Sequence, residues 1–237
     1  MRTFLIMFFM SLSTMLIAQT GEDVVNKYLE ATNLKGKIDD LDAFQCTRQY
    51  KSSSTTEYSE TIAIQTKDSK YYKKKSILDR DFYYILNGGN GFIKIPVGSR
   101  DKTANFTVKD FNDKEKTDYQ NEVKDGLLPF YNAEEKGYTV AMGSESVDGQ
   151  TLHKLSLERA GVKRVYLFDK NTGLLSKESW TVAGVTHTFT HIGYKENPNG
   201  VSLPVDSQYI NTKDNKVIRV STSWELENPS KGVSFTK

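Results

Sequence analysis

From Leu41 onward the apolar residues recur at every second position, in short runs closed off by turn residues. A period of two marks a strand with one covered face, and it ties this chain to a β architecture more firmly than any other feature does. Such runs lie near 43–50, 57–67, 70–78, 81–87 and 91–96, and again near 138–146, 150–159, 162–168, 173–182, 185–195, 200–212 and 216–227. The joints include Asp68-Ser69, Asp148-Gly149, Ala160-Gly161, Asn171-Thr172-Gly173, Ala183-Gly184 and Asn199-Gly200, mostly of hairpin length. Parallel neighbours need crossovers of about a dozen residues or more, and these joints leave no room for them. The expected order is an antiparallel meander of about eleven or twelve strands, too many to stay flat.

The alternation also says which side chains share a face. Ile218, Val220, Trp224 and Leu226 point one way, and Arg219, Ser221, Ser223 and Glu225 the other. Leu174, Trp180 and Val182 fall together, with Ser176 and Glu178 interrupting, and Ile62 and Ile64 share a face with Tyr58 and Glu60. One apolar face per strand is the pattern of an antiparallel sheet that is solvated on its other side.

Ahead of the strands, Thr20 can cap a helix whose first turn carries Glu22 and Asp23, both favourable beside the positive end of the helix dipole. Val24, Val25, Tyr28, Leu29 and Ala31 then form an apolar stripe that Asn33 and Gly36 end. Between the two groups of strands, residues 107–136 break the alternation. Phe111, Tyr119 and Val123 sit there among many charges, followed by Leu127, Leu128, Phe130 and Tyr131 beside Pro129. The segment reads as one or two short helices, the second bracketed by Gly126 and Gly137. A curled sheet with so few helices to cover its concave face leaves apolar wall unfilled, which argues for a cavity. Ile62, Ile64, Tyr84, Leu86, Trp180, Ile218, Val220 and Trp224 are its candidate lining. Leu127, Leu128, Phe130 and Tyr131 are the candidate movable lid; ordinary core packing is the plain alternative at each lining position.

The first 18 residues read as a cleaved export signal. Arg2 supplies its positive end, Phe4 to Met10 with Leu12 and Met15 to Ile17 its apolar stretch, and Ala18 the small residue before cleavage. A membrane span needs about 20 apolar residues, and Ser11, Ser13 and Thr14 interrupt this run. Residues 19–237 read as a single soluble domain. Lys plus Arg number 32 against 30 Asp plus Glu, a balance without the basic face that nucleic acid demands. Cys46, the one cysteine, can make no internal disulfide and lies too far from the signal to carry a lipid anchor.

Catalytic chemistry finds no footing. His187 and His191 are four apart on an expected strand, roughly 13 Å along it, too far to share a metal, and read as partly exposed strand histidines. Cys46 has no neighbouring His or Cys and reads as a small buried filler. G-x-S-x-G, H-E-x-x-H and the phosphate-loop pattern do not occur. The glycine-rich Asn87-Gly88-Gly89-Asn90-Gly91 leads into a strand, so no helix-terminal amides await a phosphate. Lys73-Lys74-Lys75 reads as a solvated strand edge, and Asp79, Asp81, Glu134 and Glu135 as surface carboxylates. Neither an enzyme activity nor a cofactor is expected.

Several phrases, taken in order, resemble the LolA/LolB-type outer-membrane lipoprotein-sorting carriers. They are Tyr28-Leu29-Glu30-Ala31; Gly137-Tyr138-Thr139-Val140 with Gly143; Val147-Asp148-Gly149-Gln150; Leu155-Ser156-Leu157; Tyr166-Leu167-Phe168-Asp169-Lys170-Asn171-Thr172-Gly173-Leu174; Gly200-Val201-Ser202-Leu203-Pro204; and Glu227-Asn228-Pro229 before Phe235. The resemblance implies a mainly β domain with a few helices: a curled antiparallel sheet, an incomplete half-barrel of about 11 strands, with helices lidding a hydrophobic cavity on the concave face. It implies a periplasmic carrier for a lipid or acylated lipoprotein, with envelope membrane proteins as further partners. The best-known carriers have an Arg-Pro step on an early strand whose arginine holds the lid; here the stretch reads Gln65-Thr66-Lys67-Asp68-Ser69-Lys70. The alternative is an envelope scaffold of the same fold with a filled core.

Overall fold

The computed structural model describes residues 20–98, 105–227 and 233–236. The expected export signal lies outside them. Among the described residues thirteen strands form one antiparallel sheet. The first group is β1 (Ala43–Lys51), β2 (Tyr58–Gln65), β3 (Lys70–Ile77), β4 (Arg80–Asn87), β5 (Asn90–Val97) and β6 (Asn105–Asp110). The second is β7 (Thr139–Val147), β8 (Gln150–Arg159), β9 (Val162–Asp169), β10 (Leu175–Val182), β11 (Val185–Glu196), β12 (Ser202–Asn211) and β13 (Ile218–Leu226). Each group is a meander of nearest neighbours, and β1 pairs with β13 to join them, leaving β6 and β7 as open edges. The sheet is not closed.

The tight joints explain the meander. Asp148-Gly149, Ala160-Gly161 and Ala183-Gly184 hold both residues at positive φ, the turn whose twist matches that of the flanking strands. Leu78-Asp79 does the same without a glycine, at φ +51° and +58°.

Four expectations need correction. The strand count is thirteen rather than about eleven; β6 falls partly inside the 107–136 interruption, and all six of its residues are exposed, so no buried face marks it. The stretch after Gly126 is a succession of turns and not a second helix, because Pro129 lacks an amide donor and Asn132 takes a left-handed φ of +48°. A bulge between Leu175 and Lys177 shifts the register of β10, so Leu175 and not Leu174 is buried. Nor does each strand have a single apolar face. Tyr72, Ile85, Phe92 and Ala63 form a cluster on the opposite side of the sheet from Tyr71, Leu86 and Ile64, covered by Val233 and Phe235 near the C-terminus.

Helix α1 (Gly21–Ala31) begins as expected. Thr20 Oγ1 accepts from the Asp23 amide at 3.1 Å, and the Asp23 carboxylate accepts from the Thr20 amide at 2.8 Å, which satisfies donors that a helix start otherwise leaves open. Val24, Val25, Tyr28 and Leu29 are buried; Ala31 is exposed, and Thr32 and Leu34 are buried in its stead. Helix α2 (Asp113–Asp125) is capped in the same way by Asn112 and Glu115. Both helices pack on one face of the sheet, in the cluster that also holds Phe44, Ile64, Tyr71, Leu155, Phe168 and Leu226. Among the described residues no helix is long and apolar enough to cross a membrane.

Candidate binding site

The strand register places all eight proposed lining residues on the helix-covered face. Ile64 and Leu86 lie in one cross-strand row with Phe44 and Tyr71, and Ile62 and Tyr84 in the next with Cys46 and Lys73. Trp224 faces Cys46, and Val220 faces Tyr50. The eight do not form one lining. Ile62, Ile64, Leu86 and Trp224 belong to the cluster under the helices, while Ile218 and Val220 join Tyr50, Phe189 and Tyr209 in a second cluster, with Trp180 against it. Tyr84 packs against Tyr119 of α2, ring centroids 6.3 Å apart.

The apolar stretch after Gly126 is held over this face from both ends. Phe130 is 3% exposed, with its ring 5.3 Å from Tyr28, 4.9 Å from Tyr166 and 5.2 Å from Phe168. Below the C-terminus of α2, the buried Asp125 meets Arg159 at 2.9 Å and Arg164 at 3.5 Å and accepts from Tyr138 Oη at 2.8 Å. Lys136 Nζ donates to the carbonyls of Asp125 and Leu128, each at 2.8 Å. Burial pushes the Asp125 carboxyl up, against the pull of Arg164, and pushes Lys136 down to about 8. Buried charges cost several kcal/mol unless partnered, so these partners fix where the segment can sit. Tyr131 turns away, its hydroxyl donating to Asp39 Oδ1 at 2.6 Å.

Between this segment and the sheet is a cavity of about 80 Å³. Its roof is Leu127, Leu128, Pro129 and Phe130 with Tyr28 of α1. Its floor carries Arg48, Thr222, Ser207, His191 and Glu178, and Trp224, fixed by its indole N–H to Pro204 O at 2.8 Å, forms part of the wall. At ~30 Å³ per water the space holds two or three solvent molecules. A larger opening of about 580 Å³ lies elsewhere, between α2 and the turns after β2 and β4. Among its lining residues Val123 is the one apolar side chain.

The polar floor is what the sequence reading missed. His191 is not a partly exposed histidine: its side chain is 5% exposed. In the sequence Glu178 shows only as an interruption of an apolar face, and nothing singles out Arg48, Ser207 and Thr222 beyond an even spacing from Tyr50, Tyr209 and Trp224 that puts them on the inner face. Lys73-Lys74-Lys75 is not a solvated edge either, because β3 lies between β2 and β4. Lys73 pairs with Glu60 at 3.0 Å, Lys74 with Asp81 at 2.9 Å, and Lys75 lies 4.3 Å from the centre of the Tyr58 ring. Cys46 is buried, which raises its thiol pKa. Among the described residues no group of three or more His, Cys, Asp or Glu could hold a metal ion.

No family model and no curated protein sequence matches the chain. Solved structures do. The LolA superfamily protein NE2245 from Nitrosomonas europaea superposes with a TM-score of 0.55 over 93% of this chain and 99% of that one, at 15% identity. A domain assigned to outer membrane lipoprotein sorting, from Vibrio parahaemolyticus, covers 87% of this chain and 95% of its own, at 13% identity and a TM-score of 0.48. The superposition on NE2245 shows that the two chains share a fold.

Proposed function

We propose that the protein is a periplasmic carrier that holds a hydrophobic ligand, a lipid or the acyl chain of a lipoprotein, between the sheet and the 127–131 segment. The observation that carries this reading is the roof itself. Four apolar residues in a row, outside any regular element, are held over the inner face and enclose a cavity there. Irregular apolar chain is a poor way to fill a core but a ready hinge, since few ladder hydrogen bonds must break to lift it. Each buried methylene contributes about 0.8 kcal/mol, so a long alkyl chain has ample driving force before ordering costs.

The cavity of about 80 Å³ is far below the ~300–1,000 Å³ usual for ligand sites, so loading requires the roof to lift. The same small volume favours a second reading, an envelope scaffold of this fold with a filled core. Uptake of the neutral apolar dye 1-N-phenylnaphthylamine separates the two. A carrier enhances its fluorescence saturably, and Leu127→Ser, at a half-buried roof position, weakens uptake with a modest loss of stability. A scaffold gives no saturable signal in wild type.

A further inference from the structure

A surface meant for alkyl chain alone would be apolar throughout. Here Arg48 of β1, Thr222 of β13, Ser207 of β12, His191 of β11 and Glu178 of β10 line the cavity from five adjacent strands. Polar groups beneath an apolar roof cost free energy unless partnered, and their partnering is incomplete. His191 Nδ1 lies 2.9 Å from Ser207 Oγ, while its buried Nε2 has no hydrogen-bond partner among the described residues and stands 3.8 Å from Glu178 Oε1. With the Ser207 hydroxyl donating to Nδ1, the unused Nε2 carries a hydrogen and is a donor.

Arg48 adds more donors. Its guanidinium lies 5.0 Å from the centre of the Phe189 ring, and among the described residues it makes no ion pair with a carboxylate within 4 Å. Glu60 is already taken by Lys73 at 3.0 Å and accepts from Tyr50 Oη at 3.3 Å. Burial keeps His191 neutral, so the inward charges around the floor are Arg48, Lys73 and Lys75 against Glu60 and Glu178. Arg48 and Glu178 balance on the floor itself and Lys73 and Glu60 balance beside it, so Lys75 leaves one positive charge in excess, and His191 Nε2 and the Arg48 guanidinium are donors. Both features match an acceptor-only, negatively charged partner.

We propose that this floor is a head-group subsite for an oxyanion, a carboxylate or phosphate borne on an alkyl chain, which makes the ligand an acidic single-chain amphiphile. Its head sits against Arg48, with His191 Nε2 and Thr222 in reach, and its tail runs beneath the lifted roof. The inference rests on the carrier reading above and adds the chemistry of the ligand's polar end. A cavity of about 80 Å³ accommodates a head group of a few heavy atoms even before the roof moves.

The test uses the full chain and displacement of bound 1-N-phenylnaphthylamine by dodecanoate, dodecyl phosphate, dodecanol and dodecyltrimethylammonium, each below its micelle concentration. At least one anion is expected to displace the dye at a concentration about tenfold lower than dodecanol does, and the ammonium no better than dodecanol. The better of the two anions identifies the head group as carboxylate or phosphate. Arg48→Met is expected to abolish the preference while dye binding persists, and Glu178→Gln to enlarge it by removing the competing carboxylate. Should Arg48→Met fail to fold, Glu178→Gln decides: an unchanged ratio of anion to alcohol overturns the subsite. Dye uptake with equal displacement by all four amphiphiles overturns the subsite and leaves the carrier standing. Failure of dye and amphiphiles alike to bind overturns both.

Discussion

His191 shows how much one inward-facing side chain can decide. Burial lowers its pKa below the ordinary 6.5, outweighing the nearby Glu178, which raises it. Below pH 6.5 the unfolded chain therefore binds a proton that the folded chain refuses. By linkage the folded state is fully favoured above that value and loses stability as pH falls through it. His191→Gln is expected to show a shallower fall in its urea midpoint between pH 7 and 5 than wild type; parallel profiles would assign the acid sensitivity elsewhere. Leu78 is the other telling residue. It is 51% exposed at φ +51°, a left-handed conformation that costs most L-residues about 1–2 kcal/mol and Asn less. Leu78→Asn should raise the thermal midpoint by an amount equivalent to about 1 kcal/mol, and a lowered midpoint would contradict this. At this scale the sequence was only partly readable. Alternation tells which side a residue faces, but not that Arg48, Ser207, Thr222 and His191, inward on different strands, meet Glu178 under one roof.

Elements were more legible, because each strand next to a tight turn announces itself twice, by period and by its boundary. Asp148-Gly149 and Ala160-Gly161 leave the chain one way to turn. β6 announced itself neither way: its side chains are all exposed, and it runs directly into the polar start of α2. The 127–131 segment was recognisable as apolar, but its conformation depends on contacts from distant β8 and β9 that no local pattern contains. Arg159 is the clearest of these. It pairs with Asp125, donates to Lys136 O at 2.9 Å and lies 4.2 Å from the centre of the Tyr138 ring. Arg159→Met removes the nearer of the two arginines on the buried Asp125 carboxylate, and breaking a buried pair costs about 3–5 kcal/mol. The expected result is that loss of stability in urea, together with faster proteolysis between residues 126 and 138. A stability change under about 1 kcal/mol would mean that Arg164 alone suffices to hold Asp125.

Across the whole molecule, two meanders meet at β1 and β13, and each face of the sheet has its own cover. The inner face has the helices and the apolar roof. The outer face, over Tyr72, Ile85 and Phe92, has the C-terminal Val233 and Phe235, the Phe235 ring 6.3 Å from that of Tyr72. The sequence predicted only the first, since Tyr71-Tyr72 and Ile85-Leu86 break the alternation without showing what covers the second side. Phe235→Ser should uncover that patch and raise binding of a surface-apolar dye with little change in the inner site; unchanged dye binding would show the tail to be dispensable there. The carrier role meets its most direct test in native mass spectrometry of the full chain purified without detergent, before and after exposure to an envelope lipid extract. A bound mass matching a lipid or acyl species, displaced by excess 1-N-phenylnaphthylamine, is the expected result. A folded chain that stays at its bare mass in both samples would contradict it.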